Sequence, residues 1–535
     1  NDGTLTIDNT VINLNVATNA GGAIHNISGG ALVITNSEIT NNTADVAGGV
    51  LNNGTGGSTA SFTDSLVSLN AAIGVGPVAG GGGLYNNFGG VLTVTDTEVS
   101  DNTAAAQGAA GIRNDVASAT LDGATVTGND AVGNGGGIRT SGTMVITDST
   151  IDDNTATTSG GGIALDGSAS TLTVTGSTID LNDATTEGGG LAIGLDTTAD
   201  LDESSVTNNT AGAGAGIANA GTLEFTNSTL SANVAGTQGG GLMTSSGVTI
   251  THATITNNDA TNEGGGVRVI GAPTVTLTGT ILSGNNATSG PDCSGEVGGG
   301  GYNLIGNTAT PCVYTGTGTD LPALSDPMLG PLTIGTSSSY HPLLAGSDAI
   351  DAGGACGLLV DQIGTTRPDG PSCDVGAIEG DSPAPPVVAD EVVLVEPSGK
   401  WHIRVPGNPD YTFFYGVPGD IPLFGDWDGD GLDTPGAWRQ GPGGGFAYLT
   451  NTLPPDAGVG VADFDFFFGI PGDEVFSGDW NGDDIDTLGI NRAGRIFLTD
   501  TNGSGGLPVP TDYDFFFGVP GDRAFGCLLY TSPSP

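Results

Sequence analysis

Eleven asparagines recur at one phase of this chain: Asn15, Asn42, Asn70, Asn102, Asn129, Asn154, Asn182, Asn209, Asn233, Asn258 and Asn285. Each belongs to an aliphatic-x-x-Asn-x-Ala element, from Ile12, Asn15 and Ala17 through to Leu282, Asn285 and Ala287. A second element, Gly-Gly-x-aliphatic, places its aliphatic residue at Ile24, Leu51, Leu84, Ile112, Ile138, Ile163, Leu191, Ile217, Leu242 and Val267. Units of roughly 24 to 33 residues repeated in this way indicate a solenoid, in which each unit buries its apolar face only by stacking on the next.

Within a unit the apolar residues alternate, as at Leu32 and Ile34, Met144 and Ile146, Leu223 and Phe225, and Val248 and Ile250. Period two specifies strand rather than helix, and the intervening Thr and Val suit a pleated surface. Gly and Asn interrupt every unit before a helix could gain length. Strands this short are unstable alone. Stacked about 4.8 Å apart, their Leu, Val, Ile and Ala form a column of like residues. The predicted fold class is therefore all-β: a parallel β-helix, right-handed by the twist preference of parallel crossovers. Ten intervals between asparagines correspond to a rod of roughly 48 Å. A leucine-rich repeat also carries Asn after a leucine pattern, but it needs a longer leucine run and a helix or extended segment outside.

The asparagines are expected at a tight bend, where Asn tolerates a left-handed backbone. Their amides can bond their own turn and the Asn of the next coil. The glycine runs mark a second bend, where positive φ and close backbone approach exclude a Cβ.

Composition narrows the partners. The chain has 58 Asp plus Glu against 10 Lys plus Arg, a formal charge of −48, and Lys400 as its single lysine. Phosphate and anionic lipid would find little counter-charge, which argues against nucleic acid and anionic membranes and leaves cations as natural partners. Cys293 and Cys312, and Cys356 and Cys373, are close in sequence, with Cys527 apart. Two local disulfides would suit an exported protein; four buried thiols are the alternative, and no C-x-x-C pair points to a metal. No apolar run of about 18 residues is present to span a bilayer. The sequence opens inside a repeat, and residues 527–535 resemble translated sequencing-adapter read-through, so they are set aside.

The coils resemble the right-handed β-helix repeats of bacterial polymorphic outer-membrane-protein-like and adhesin-like surface proteins, with Gly21-Gly22-Ala23-Ile24 matching their G-G-A-[ILV] element. Four downstream stretches, Asp326–Leu332, Leu343–Gly353, Asp361–Pro368 and Cys373–Glu379, resemble the ending of choice-of-anchor Q β-helix proteins. That resemblance implies coils over 1–300, then terminal coils and a disulfide-stapled cap over 301–380. It also implies a bacterial, secreted or cell-surface, monomeric protein.

A Pro-rich linker covers 381–390, and a different repeat follows over 391–526. Phe413-Phe414-Tyr415-Gly416-Val417-Pro418-Gly419-Asp420 recurs at Phe466–Asp473 and again from Phe515, about 50 residues apart. The region resembles incomplete propeller-type repeats. Its acidic loops hold Asp426, Asp428, Asp430 and Asp433 in one copy and Asp479, Asn481, Asp483 and Asp486 in the next. Alternating carboxylates converge when a loop curls, as Ca²⁺ with six to eight oxygen ligands requires. The loops resemble EF-hand-like and FG-GAP calcium loops, although Asp433 sits one position early and no position-12 Glu follows. A solvated Asp-Gly turn between strands is the alternative.

The expected function is a non-catalytic structural or adhesin-like rod meeting an extracellular glycan or surface protein. A β-helix polysaccharide lyase or glycoside hydrolase is the alternative, since such enzymes set Asp clusters, often with Lys or Arg, on one strand face. Here Arg113, Arg139 and Arg268 are the coils' only cations, Asp152 and Asp153 are adjacent and so face apart, and His25, His252, His341 and His402 are scattered.

Overall fold

The computed structural model describes residues 1–380 apart from 76–79, 106–107, 309, 322–324, 336, 345, 355 and 370, and 392–516 apart from 405–410, 428–433, 442–443, 452–458, 481–484 and 504–506. It divides into two compact units, Asn1–Pro383 and Ala384–Pro535. Among the described residues every regular element is a strand.

The first unit is a parallel β-solenoid. One coil runs through four short strands: Ile163–Leu165, Thr171–Thr175, Thr178–Asp180 and Asp183–Glu187. Each pairs in register with its counterpart one coil away, so Ile163 meets Leu191, Leu172 meets Ala199, Ile179 meets Val206 and Ala184 meets Ala211. The stacked strands make four sheets, numbered here in coil order. The third contains twelve strands and the fourth ten, while Cys293–Gly301 joins the first to the second. Alternation sends Leu172, Val174 and Ile179 into a dry core that continues from Ile24 to Cys312. One phase differs from expectation. Val50, not Leu51, stacks between Ile24 and Leu84, and Leu51 faces outward beside His25 and Tyr85.

The asparagines form a single file. Each Nδ2 donates to the Oδ1 of the next Asn at 2.9–3.0 Å, from Asn15 to Asn285, and Asn285 donates to the Asp292 carboxylate at 2.9 Å. The left-handed residue is not this Asn but the one before it, as at Asn41, Asp153, Leu181 and Asn257. The corner residue must turn the chain while pointing outward, which leaves the following Asn free to aim its amide inward. Two further files went unpredicted. Asn26 donates to Asn52, Asn52 to Asn86 and Asn86 to Asn114, each at 2.8 Å, and Asn114 donates to Thr140 Oγ1 at 3.0 Å. Ser149, Ser177, Ser204 and Ser228 accept backbone N–H bonds coil over coil at another corner.

Leu181 adopts φ 54° and leaves its side chain 56% exposed. A branched side chain in this conformation costs about 1–2 kcal/mol that Asn largely escapes. Leu181→Asn is therefore expected to raise unfolding free energy by about 1 kcal/mol in a denaturant titration; a loss would show that the leucine's contacts outweigh its strain. At the opposite bend Gly160 has φ 68°, and a Cβ on Gly161 would lie 2.5 Å from the Asp183 carbonyl oxygen.

After Leu304–Ile305 and Cys312–Thr315 the chain stops stacking. The described residues of 326–379 instead fold back along the outer face of the third sheet as a strap. The Ser339 N–H donates to Ser205 Oγ at 3.0 Å, Thr229 Oγ1 to Gln362 Oε1 at 2.6 Å, and the Ala377 N–H to Thr254 Oγ1 at 3.1 Å. Leu343, Ala349 and Val375 cover Ile281 and Leu304. The outward positions here are neutral and small, whereas earlier coils present Glu38 and Glu98 at the same place. Both local disulfides form, Cys293–Cys312 and Cys356–Cys373.

The second unit consists of antiparallel sheets. Ile421–Gly425, Thr434–Gly441, Gly444–Leu449 and Phe464–Phe467 form one meander; Glu474–Gly478, Thr487–Arg492, Arg495–Leu498 and Tyr513–Phe516 form the next. Val392–Val395, Lys400–Arg404 and Tyr411–Phe414 make a three-stranded sheet. Phe413, Phe466, Trp401 and Trp438 are core residues.

Candidate functional site

The acidic loops connect the first two strands of each meander. Asp428, Asp430, Asp433, Asn481 and Asp483 lie outside the described residues. Of the remainder, Asp426 and Asp486 come together although they belong to different repeats. The Asp426 N–H donates to Asp486 Oδ2 at 3.1 Å, and the Asp486 N–H donates to the Asp426 carbonyl at 2.5 Å. Asn502 Nδ2 donates to both the Asp486 and Trp427 carbonyls. Asp479 follows the end of its strand, half-buried. One carboxylate oxygen, Asp486 Oδ2, and the Asp426, Trp427 and Asp486 carbonyls therefore meet where the two repeats join, each accepting a protein N–H.

A further repeated feature escaped the sequence. Asp420 and Asp473, each ending a Pro-Gly-Asp turn, receive bidentate forks from Arg439 and Arg492 at 2.7–2.9 Å. The signal was present, since each Arg lies nineteen residues after its Asp.

The groups that suggest catalysis are apart. Asp152 faces out of the third sheet and Asp153 forms a corner at φ 52°; burial raises the Asp152 pKa. His341 belongs to the strap and is buried against the third sheet, with Nε2 2.8 Å from Ser231 Oγ and Nδ1 2.8 Å from the Gly330 carbonyl, and its burial lowers its pKa. His252, also buried, is pushed down to about 4 by desolvation and then by Arg367. His402 contacts Glu396, and His25 lies on the first sheet. Cys356, Cys373 and Glu379 cluster within metal-ligand distance, but both sulfurs are joined in the disulfide.

The coils' three arginines share one place. Arg113, Arg139 and Arg268 each follow the inward aliphatic residue of a first-sheet strand, so all three stand in one outward column. Between Arg139 and Arg268 that column reads Ala164, Ala192, Ala218 and Met243. Outward residues of a sheet ordinarily meet solvent, yet Arg113, Ala164, Ala218 and Met243 are all buried. The bends on both sides rise above the sheet and make a trough of about 390 Å³, walled by Asn134, Ser159 and Glu187 on one side and Asp166, Leu195 and Ser245 on the other. The three arginines of the column are not among the lining residues and are matched by carboxylates: Arg113 to Asp115 at 2.7 Å, Arg139 to Asp166 at 2.8 Å and Arg268 to Glu263 at 3.2 Å. The repeat phase alone would have aligned the three arginines; the raised walls belong to the bends, whose lengths vary. Comparison with protein families, curated proteins and solved structures finds no match to this chain.

Proposed function

We propose that this chain is a non-catalytic, secreted or cell-surface rod of the adhesin-like kind, which presents or spaces binding surfaces toward an extracellular glycan or surface protein. The observation that carries this reading is the continuous asparagine file through the coils. It adds a line of satisfied polar groups along one bend of the apolar interior, so that neighbouring coils depend on one another and the column resists local opening. Two disulfides support an oxidising, extracellular setting. The likeness to polymorphic outer-membrane-protein-like and choice-of-anchor Q proteins rests on sequence motifs. Calcium at the Asp426–Asp486 junction is part of the same proposal, as an ion that stiffens the second unit.

One experiment tests both halves. The full chain is incubated with polyuronates, with calcium or with chelator, and followed by ultraviolet absorbance and by melting. The expected result is no unsaturated uronate in either condition and a calcium-dependent rise in melting temperature. Steady uronate release would replace the scaffold with a lyase working in the trough, where Asp166 and its ion-pair partner Arg139 behind the lining would be its first candidates. An unchanged melt would remove calcium.

A further inference from the structure

Resting on that adhesin-like reading, we infer that the first-sheet trough binds a neutral oligosaccharide lying along the coil axis. The described strap residues bond along the third sheet, away from the first-sheet trough. The floor is apolar, with the Ala164, Ala192 and Ala218 methyls backed by Met243. The walls are polar and carry donors and acceptors together, in Asn134, Ser159, Asp166, Glu187 and Ser245. A ligand that fits has one C–H face and a rim of hydroxyls. Sugars meet that description.

Charge selects the class of sugar. The trough lining holds the carboxylates of Asp166 and Glu187 and no Lys or Arg, and the chain carries −48 overall. A polyuronate or sulfated glycan would bring anions to a site lined by carboxylates and no cation, whereas a neutral sugar can donate its hydroxyls to Asp166 and Glu187. Spacing argues against an extended peptide. Rungs repeat at about 4.8 Å while an extended chain advances 3.2–3.4 Å per residue, so its groups fall out of step with the walls. A pyranose chain advances by close to one rung per sugar. Methyls replace aromatic rings on the floor, so affinity must accumulate over several rungs.

The test uses the full chain against immobilised neutral tetrasaccharides of the β-glucan, mannan and chitin types, with oligogalacturonate as the anionic arm. Ala192→Trp fills the trough, Glu187→Arg alters an exposed wall without touching the core, and Thr173→Trp adds the same bulk to the outer face of the second sheet. The inference expects a neutral probe to bind, Ala192→Trp to weaken it by about tenfold or more, roughly 1.4 kcal/mol, Glu187→Arg to weaken it by a smaller factor, and Thr173→Trp to leave it unchanged. Binding that ignores both trough variants overturns the site but leaves an adhesin that binds elsewhere. Preference for oligogalacturonate overturns the neutral class. If no probe binds, the inference falls, and the scaffold reading then stands or falls on the uronate assay.

Discussion

Asn182→Leu is expected to lower the unfolding free energy of the solenoid by about 4 kcal/mol, while Asn15→Leu lowers it by about 1 kcal/mol, as each stranded buried group costs about 1–3 kcal/mol. Asn182 Oδ1 accepts both the backbone N–H and the Nδ2 of Asn154, at 3.1 and 2.9 Å, and its own Nδ2 donates to the Ile151 carbonyl at 2.9 Å. Leucine has similar bulk but answers none of these groups, and no water reaches them because the residue is fully buried. Asn15 lies exposed on the first coil, where solvent can replace lost bonds. Denaturant melts of the two variants measure the difference. Equal losses would mean that the file is a by-product of packing and not a source of stability.

The second large effect concerns the strap. Arg367 is buried with Glu379 at 3.3 Å, donates to the Gly376 carbonyl at 2.9 Å, and lies near Asp361 and Asp374. Arg367→Met leaves those carboxylates without a cation, and breaking a buried pair from one side costs about 3–5 kcal/mol. The loss should be local. Hydrogen exchange is expected to speed up at Gly376, whose N–H donates to the Gly279 carbonyl, and not at coil amides such as Asn182. Equal acceleration in both would show that the strap holds the whole solenoid together.

The same cluster sets a pH dependence. Burial pushes the Glu379 carboxyl up to about 7, so the folded strap holds a proton that the unfolded chain releases near 4.5. Stability from this group is complete below 4.5 and is lost as pH rises through 7. His252 runs the other way: lowered to about 4, it contributes stability above 6.5 that is lost as pH falls through 4. The Arg367→Met penalty should therefore shrink as pH drops below 7 and Glu379 becomes neutral.

The Asp361–Pro368 and Cys373–Glu379 stretches stood out in sequence, but as the ending of the coils. Their partners lie more than a hundred residues upstream, as Thr229 does for Gln362 and Thr254 for Ala377. The alternation of Leu172 and Val174, the Asn182 file and the Gly160 bend were legible for the opposite reason. In a solenoid each residue's neighbour is the residue at its own phase one coil away, so periodicity in sequence is contact in space. The acidic loops followed the same split: their residue types were legible, but the meeting of Asp426 with Asp486 was not, because it joins two different repeats. Sequence alone thus determined the coil, its core columns and its ladder. The strap, the trough walls and the junction between repeats were decided by tertiary structure, since each depends on segments of unequal length or no period, whose neighbours only the folded chain selects.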